Sequence, residues 1–152
     1  MIKVGDKAPS FKGVIESGKE VSLGDYTGKK LVIFFYPADM TPGCTAEACN
    51  LRDHYAELKD AGYELLGVST DNESKHQKFI AKYELPFNLI ADTDKTIVKS
   101  FGVYGPKSFM GRIFEGTHRK TFVIDENGVV ERIIEKVKTK DHAAQILESV
   151  AS

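Results

Sequence analysis

At 152 residues the chain is long enough to bury a hydrophobic core without disulfide staples. A formal net charge of −1 and a pI near 6.4 leave no electrostatic footprint for nucleic acid and no general attraction to anionic membranes. No apolar run approaches the roughly 18 residues of a membrane span, and the opening "MIKVGDKAPSFKG" has no apolar stretch of the kind a secretory signal carries.

A cytoplasmic location is therefore expected, and the sequon at Asn72 to Ser74 is expected to carry no glycan. No repeat, low-complexity tract or Pro/Ser/Gly-rich linker interrupts the chain, so one domain over residues 1–152 is predicted. "VIESGKEVSL" (14–23) reads as a small N-terminal hairpin. "LVIFFY" (31–36) is a continuous apolar, β-rich run, as expected of a strand covered on both faces. Thr41 and Pro42 then form a helix start, with Thr as N-cap and Pro at the first helical position. A helix is predicted from there to Ala61, with Leu51, Tyr55 and Leu58 on one side and Gly62 closing it.

"YELLGVST" (63–70) is the next predicted strand, "NESKHQKFIAKYE" (72–84) a helix, "FNLIAD" (87–92) a strand and "DKTIVKSFG" (94–102) a helix. This alternation implies right-handed crossovers and a parallel region of sheet. "YGPKSFMGR" (104–112) lacks the spacing of a phosphate-binding loop and reads as a loop near a site mouth. "RKTFVID" (119–125) and "VVERIIEKV" (129–137) form a predicted hairpin around "ENG", and "KDHAAQILESVA" (140–151) a closing amphipathic helix. The fold class is α/β, with a mixed central β-sheet flanked by helices and an N-terminal hairpin extension.

The chain has two cysteines, Cys44 and Cys49. Their spacing is too long for a redox C-x-x-C, and two thiols are too sparse for a metal site. Cys44 falls in the first turn of the predicted helix, where unpaired N–H groups and the helix dipole favour an anion. A thiol with pKa ~8.5 is about 3% ionised at pH 7, and one lowered to ~6 is about 90% ionised. Ionisation alone thus gives roughly thirty-fold, so other groups must act in a transition state. Cys49 follows after a rotation of about 500° and a rise of ~7.5 Å, which puts the Cα atoms about 8.5 to 9 Å apart. A disulfide needs them within about 7 Å. Either the pair is inert and buried, or the first turns must unwind before it bonds.

"YPADMTPGCTAEAC" resembles the active-site segment of the peroxiredoxins, thiol peroxidases of thioredoxin-like fold. Pro37, Thr41 and Cys44 match their P-x-x-x-T-x-x-C signature, and Cys49 is similar to the second cysteine of the bacterioferritin comigratory protein or peroxiredoxin Q branch. "VGDKAPSF", "VSLGDYTGKKLVIFFYP", "LLGVSTD", "YGPKSFMGR" and "RKTFVID" extend the likeness over nearly the whole chain. The resemblance implies that Cys44 attacks the terminal oxygen of hydrogen peroxide or an organic hydroperoxide and becomes a sulfenic acid. Thr41 would hydrogen-bond peroxide and sulfur, Pro37 would shield the thiolate, Arg119 would be the active-site arginine, and Glu47 would orient it. Cys49 would resolve the sulfenic acid as an intramolecular disulfide after unwinding of residues 43 to 50. Thioredoxin or a glutaredoxin-type dithiol would recycle it, and a monomer or weak dimer is expected. The sequence departs from the branch pattern at Ala38, where lysine is frequent, and at Met40, positions that bear on substrate access.

Other readings of the same residues stand beside these. Arg119 would otherwise be a surface ion-pair residue, with Arg52 the next candidate for the site. Glu47 would otherwise be a first-turn carboxylate favoured by the dipole. His54, His76, His118 and His142 lack metal-ligand spacing and are expected at the surface or in the core, so no metal and no cofactor is expected. Phe35, Tyr36, Phe109 and Phe122 are expected mainly in the core, with Tyr36 or Phe109 candidates to line the peroxide path. The competing functions are a thioredoxin-type thiol–disulfide oxidoreductase, which the C-x-x-x-x-C spacing disfavours, and a non-enzymatic redox switch or chaperone.

Overall fold

A computed structural model describes residues 1–151. The elements run β1 (Lys12–Val14), β2 (Glu20–Ser22), a short 3-10 turn, β3 (Lys30–Phe35), α1 (Pro42–Asp53), α2 (Tyr55–Asp60) and β4 (Tyr63–Ser69). Then follow α3 (Glu73–Tyr83), β5 (Asn88–Ala91), α4 (Thr96–Ser100), β6 (Tyr104–Phe109), β7 (Arg112–Thr117), β8 (Lys120–Ile124), β9 (Val130–Ile134) and α5 (His142–Ala151). The central sheet has five strands in the order β5-β4-β3-β8-β9. β3 pairs in parallel with β4 and antiparallel with β8, so the sheet is mixed, as the sequence predicts. The N-terminal hairpin forms from β1 and β2. No helix among the described residues is long and apolar enough to cross a membrane.

β3 is buried on both faces because its five apolar residues, Leu31 to Phe35, alternate between two cores. Leu31, Ile33 and Phe35 enter one cluster, with α4 residues Ile97 and Val98 and the N-terminal Phe11. Val32 and Phe34 enter the other, joined by Tyr36 just beyond the strand and by Cys44, Ala48 and Leu51 of α1, Phe79 of α3 and Ile146 of α5. The buried face of α1 is thus Cys44, Glu47, Ala48 and Leu51, the i, i+3, i+4, i+7 stripe of an amphipathic helix.

Two predicted elements and one side-chain placement are corrected. The single helix expected after the Thr41 cap, running to Ala61, is two, because His54 leaves helical geometry at φ −112°, ψ 18° and its ring engages Glu57 Oε1 at 3.1 Å in the first turn of α2. The segment 104–112 is not a loop but β6, a turn and the start of β7. Met110 and Gly111 both take positive φ, 52° and 76°, which suits the tight turn of a two-residue hairpin. Phe109, expected in the core, stands on that hairpin 66% exposed, whereas Phe35, Tyr36 and Phe122 are buried.

Gly67 sits on β4 where the sheet is tightest. A Cβ there would lie 2.6 Å from Leu89 Cδ2 and 2.8 Å from Phe34 Cζ. Gly67→Ala is expected to destabilise the protein by about 1–3 kcal/mol through overpacking. Urea unfolding checks this, and an unchanged midpoint would show that Leu89 and Phe34 give way freely.

Candidate active site

The link from β3 to α1 is held by buried polar groups. Tyr36 donates its hydroxyl to Asp39 Oδ1 at 2.6 Å, and Asp39 Oδ2 meets His76 Nδ1 at 2.6 Å. His76 Nε2 lies 2.8 Å from the Ile90 carbonyl, which can only accept, so Nε2 carries a proton. The Asp39 N–H donates to Asp71 Oδ2 at 2.7 Å, and Ser69 Oγ donates to the same oxygen. Burial, reinforced by Asp39, pushes the Tyr36 phenol well above its ordinary value, so it stays a donor. Asp39, Asp71 and His76 place ligand-type atoms within 4.8 Å of one another. Those atoms are already engaged by the hydrogen bonds above and by Lys75 Nζ, so the grouping serves as an anchor for the link. Met40 then turns the chain into α1 at φ 67°, a left-handed conformation that methionine adopts only under constraint.

Cys44 lies in the first turn of α1 and is 2% exposed. Arg119 Nη2 donates to its sulfur at 3.2 Å, and Arg119 Nη1 donates to Glu47 Oε1 at 2.6 Å. Cys44 and Glu47 are three residues apart on one helix face, so one planar guanidinium spans both. Arg119 reaches them because β8 lies antiparallel to β3, with Lys120 opposite Phe35. It immediately precedes β8, at the strand's N-terminal end, beside the point where the link to α1 leaves β3. Burial works against the Arg119 charge, but Glu47 and Cys44 outweigh it and hold the group above its ordinary value.

Glu47 is buried, and its Oε2 has no hydrogen-bond partner among the described residues. Burial pushes its carboxyl up to about 7, against the opposing pull of Arg119. Across from Oε2, at 3.6 Å, stands His142 Nε2. His142 Nδ1 faces Gln145 Oε1 at 2.8 Å. That oxygen also accepts from Lys138 N–H while Gln145 Nε2 donates to the Lys136 carbonyl, so Nδ1 must carry the proton. Burial pushes His142 down to about 4, aided by Arg119 and Arg132 and opposed by Gln145.

The predicted site residues divide. Cys44, Glu47 and Arg119 meet directly. Glu47 lies beyond the first turn of α1, so it is not a dipole-stabilising carboxylate. Thr41 has N-cap backbone angles but does not cap with its side chain; its hydroxyl donates to the Ala38 carbonyl at 2.8 Å. Its lone pairs remain free to accept from a ligand. Pro37 is half-buried at the start of the link. Cys49 is a free thiol, half-buried on α1, and Cys44 is free as well. Arg52 is spent elsewhere, on the Tyr83 carbonyl and Asp53. Tyr36 is buried, with its hydroxyl turned to Asp39, so it does not line an open path. His118 is exposed and contacts the Pro106 carbonyl. Lys107 was not foreseen: burial and the nearby Arg119 lower it, Cys44 raises it, and its ammonium donates to the Thr117 carbonyl at 2.8 Å. The segment containing it was expected near the mouth, but nothing in the sequence singles out that lysine. His142 likewise gives no sequence signal.

Adjacent to Cys49, Asn50 ties α1 to α5: its Nδ2 donates to the Lys140 carbonyl at 3.0 Å and its Oδ1 accepts from Ala143 N–H at 2.8 Å. α1 is therefore held at both ends, by the Asp39 anchor before it and by the start of α5 beside it.

The AhpC/TSA family profile matches residues 4–133. A putative peroxiredoxin bcp of Haemophilus influenzae is 44% identical over 151 residues, covering 99% of this chain and 97% of its own. Peroxiredoxin Bcp of Bacillus subtilis is 41% identical over 149 residues, covering 98% of this chain and 95% of its own. Among solved structures, a Xanthomonas campestris bacterioferritin comigratory protein described for its alkyl peroxide reduction activity has a TM-score of 0.86 at 33% identity. That match covers 93% of this chain and 90% of the other.

The Glu47–His142 pair predicts a specific pH dependence of stability. Glu47 contributes stability that is full below about pH 4.5 and lost as pH rises to about 7. His142 runs oppositely, full above about pH 6.5 and lost as pH falls to about 4. Between 4.5 and 6.5 the two cancel, because unfolding merely moves one proton from Glu47 to His142. Glu47→Gln removes one side of that balance. Relative to wild type, the variant should lose stability as pH falls from 6.5 to 4.5, read from urea midpoints. Parallel profiles for the two proteins would contradict the pairing.

Proposed function

Because the chain belongs to the AhpC/TSA family, among its Bcp and peroxiredoxin Q members, and is a thiol peroxidase, we propose that Cys44 is the attacking sulfur and Cys49 the resolving one. The observation that carries this reading is the 3.2 Å contact of Arg119 Nη2 with Sγ of the buried Cys44 in the first helical turn. The thiolate attacks the terminal peroxide oxygen, the O–O bond breaks, and its electron pair leaves on the alkoxide or hydroxide, which takes up a proton. Charge moves from sulfur to the leaving oxygen, and the fixed donors of Arg119 stabilise it where it develops. Thr41, whose hydroxyl hydrogen is directed to Ala38, accepts from the peroxide O–H and orients it. Pro37 screens the sulfur from water.

Cys44 is left as a sulfenic acid. Cys49 condenses with it, forming the S–S bond and releasing water. Five helical positions keep the thiols beyond disulfide range, so residues 43 to 50 must unwind first. That step breaks the Glu47 and Asn50 contacts described above. A dithiol reductant then returns two electrons and two protons; thioredoxin is the first choice and a glutaredoxin-type protein the second. Two free thiols suit a reducing compartment, and the cytoplasm is the proposed location. All the catalytic groups come from one chain, so a monomer or weak dimer suffices; activity lost on dilution would argue otherwise.

Intact-mass measurement after one equivalent of hydrogen peroxide tests the roles. Wild type should lose two hydrogens, Cys49→Ser should gain one oxygen, and Cys44→Ser should stay unchanged. An oxygen gained by Cys44→Ser would reverse the assignment. A second test concerns Gly43, where a Cβ would lie 3.2 Å from Arg119 Nη2. Gly43→Ala should slow the reaction of Cys44 with peroxide about ten-fold by displacing the guanidinium. Stopped-flow rates equal to wild type would show that Arg119 need not stay where it is.

A further inference from the structure

His142 takes no part in the chemistry above, yet it is wholly buried within the same polar cluster. Gln145 fixes its tautomer, as argued from the Lys136 and Lys138 contacts, which leaves Nε2 as the nitrogen turned inward. Two groups face that nitrogen: Thr121 Oγ1 at 2.8 Å and Glu47 Oε2 at 3.6 Å. Glu47 Oε2 meets no hydrogen-bond partner among the described residues, an expensive arrangement for a buried oxygen.

We propose that His142 is a positioning residue for peroxide reduction: its Nε2 faces the Glu47 oxygen that Arg119 leaves free, and so fixes the carboxyl group that aims the guanidinium at Cys44. This rests on the reading of Cys44 as the attacking sulfur. One proton lies between Oε2 and Nε2 whichever atom carries it. With the proton on Glu47, a closure of under ~1 Å lets Oε2–H take the single Nε2 lone pair in place of the Thr121 hydroxyl. With the proton on His142, Nε2 donates to Oε2 and Thr121 alike. In both arrangements the pair is neutral overall, so Glu47 holds Arg119 without adding a net negative charge beside the thiolate. The charged and titratable groups around the pair are Arg119 from the start of β8, Arg132 from β9, whose Nη1 donates to the Gln145 carbonyl, and Cys44 from α1. Arg119 and Arg132 both disfavour an isolated imidazolium, which keeps the proton shared with Glu47.

The test is a double-mutant cycle with a pH profile. H142F keeps a planar aromatic ring, somewhat larger than imidazole, and removes both nitrogens. It should lower the second-order rate of sulfenic acid formation with hydrogen peroxide about ten-fold, short of the ~100-fold expected when a transition-state donor is lost outright. In an E47Q background the same change should have no further effect. An equal loss in both backgrounds, or a pH–rate profile unchanged by H142F, overturns the proposal. If H142F does not fold, wild type and E47Q decide by ¹⁵N NMR. The His142 Nε2 shift should titrate together with the Glu47 carboxyl and lose that transition in E47Q; an Nε2 shift indifferent to E47Q overturns the proposal. The imidazole titration is readable even if Cys44 forms no sulfenic acid, so failure of the underlying reading would be seen separately.

Discussion

A single guanidinium divides itself between a sulfur and a carboxyl. Arg119 reaches Cys44 with one nitrogen and Glu47 with the other, across 75 and 72 residues of chain. Only a planar fork with several fixed donors can serve both at once, so lysine would not replace it. Three independent regularities must agree for the contact to exist. The i, i+3 spacing sets Cys44 above Glu47 on α1. The β3–β8 register places Arg119 at the sheet end from which α1 departs. The buried Asp39–His76 link fixes where α1 begins. A shift in any one moves the positive charge off the sulfur.

In the proposed cycle, the same helix that builds the site forbids the second step. While α1 is intact, Cys44 has Arg119 and Cys49 is out of bonding range. Once α1 unwinds the thiols can meet, but Arg119 has lost its alignment. The proposed chemistry therefore requires the protein to alternate between a form competent to meet peroxide and a form competent to make a disulfide. The anchors on either side decide how the two are balanced. Asp39 holds the segment before α1, and Asn50 holds its far half to α5. A firmer hold favours the first form and prolongs the life of the sulfenic acid; a looser one does the reverse.

Much of this architecture was legible in the sequence, and the exceptions have physical causes. β3 was plain because a strand covered on both faces carries no polar residue to interrupt it. The helix start at Pro42 was plain because proline fixes its own φ. The β6–β7 hairpin was missed because it lacks the usual alternation: Phe109 and Ile113 are both solvent-facing, and Pro106 sits within a strand. The break at His54 was missed because the apolar spacing of Leu51, Tyr55 and Leu58 continues across it. Thr41 has the right residue type for a cap, but residue type does not say which acceptor its hydroxyl will choose. Arg119 and Glu47 stand out in the sequence only through likeness to a family, since no local pattern can tell which distant arginine a strand register will deliver. His142 was beyond reach for the same reason, being one histidine in an amphipathic helix.

The division of β3 between two cores has a bearing on durability. The cluster containing Leu31, Ile33 and Phe35 includes no residue of α1, while the other cluster includes Cys44, Ala48 and Leu51. Melting α1, as the proposed disulfide step requires, would thin one layer of the molecule and leave the opposite cluster packed. The sheet, with the cluster on its far face, would then serve as a keel through the excursion, so that the chain need not find its fold anew.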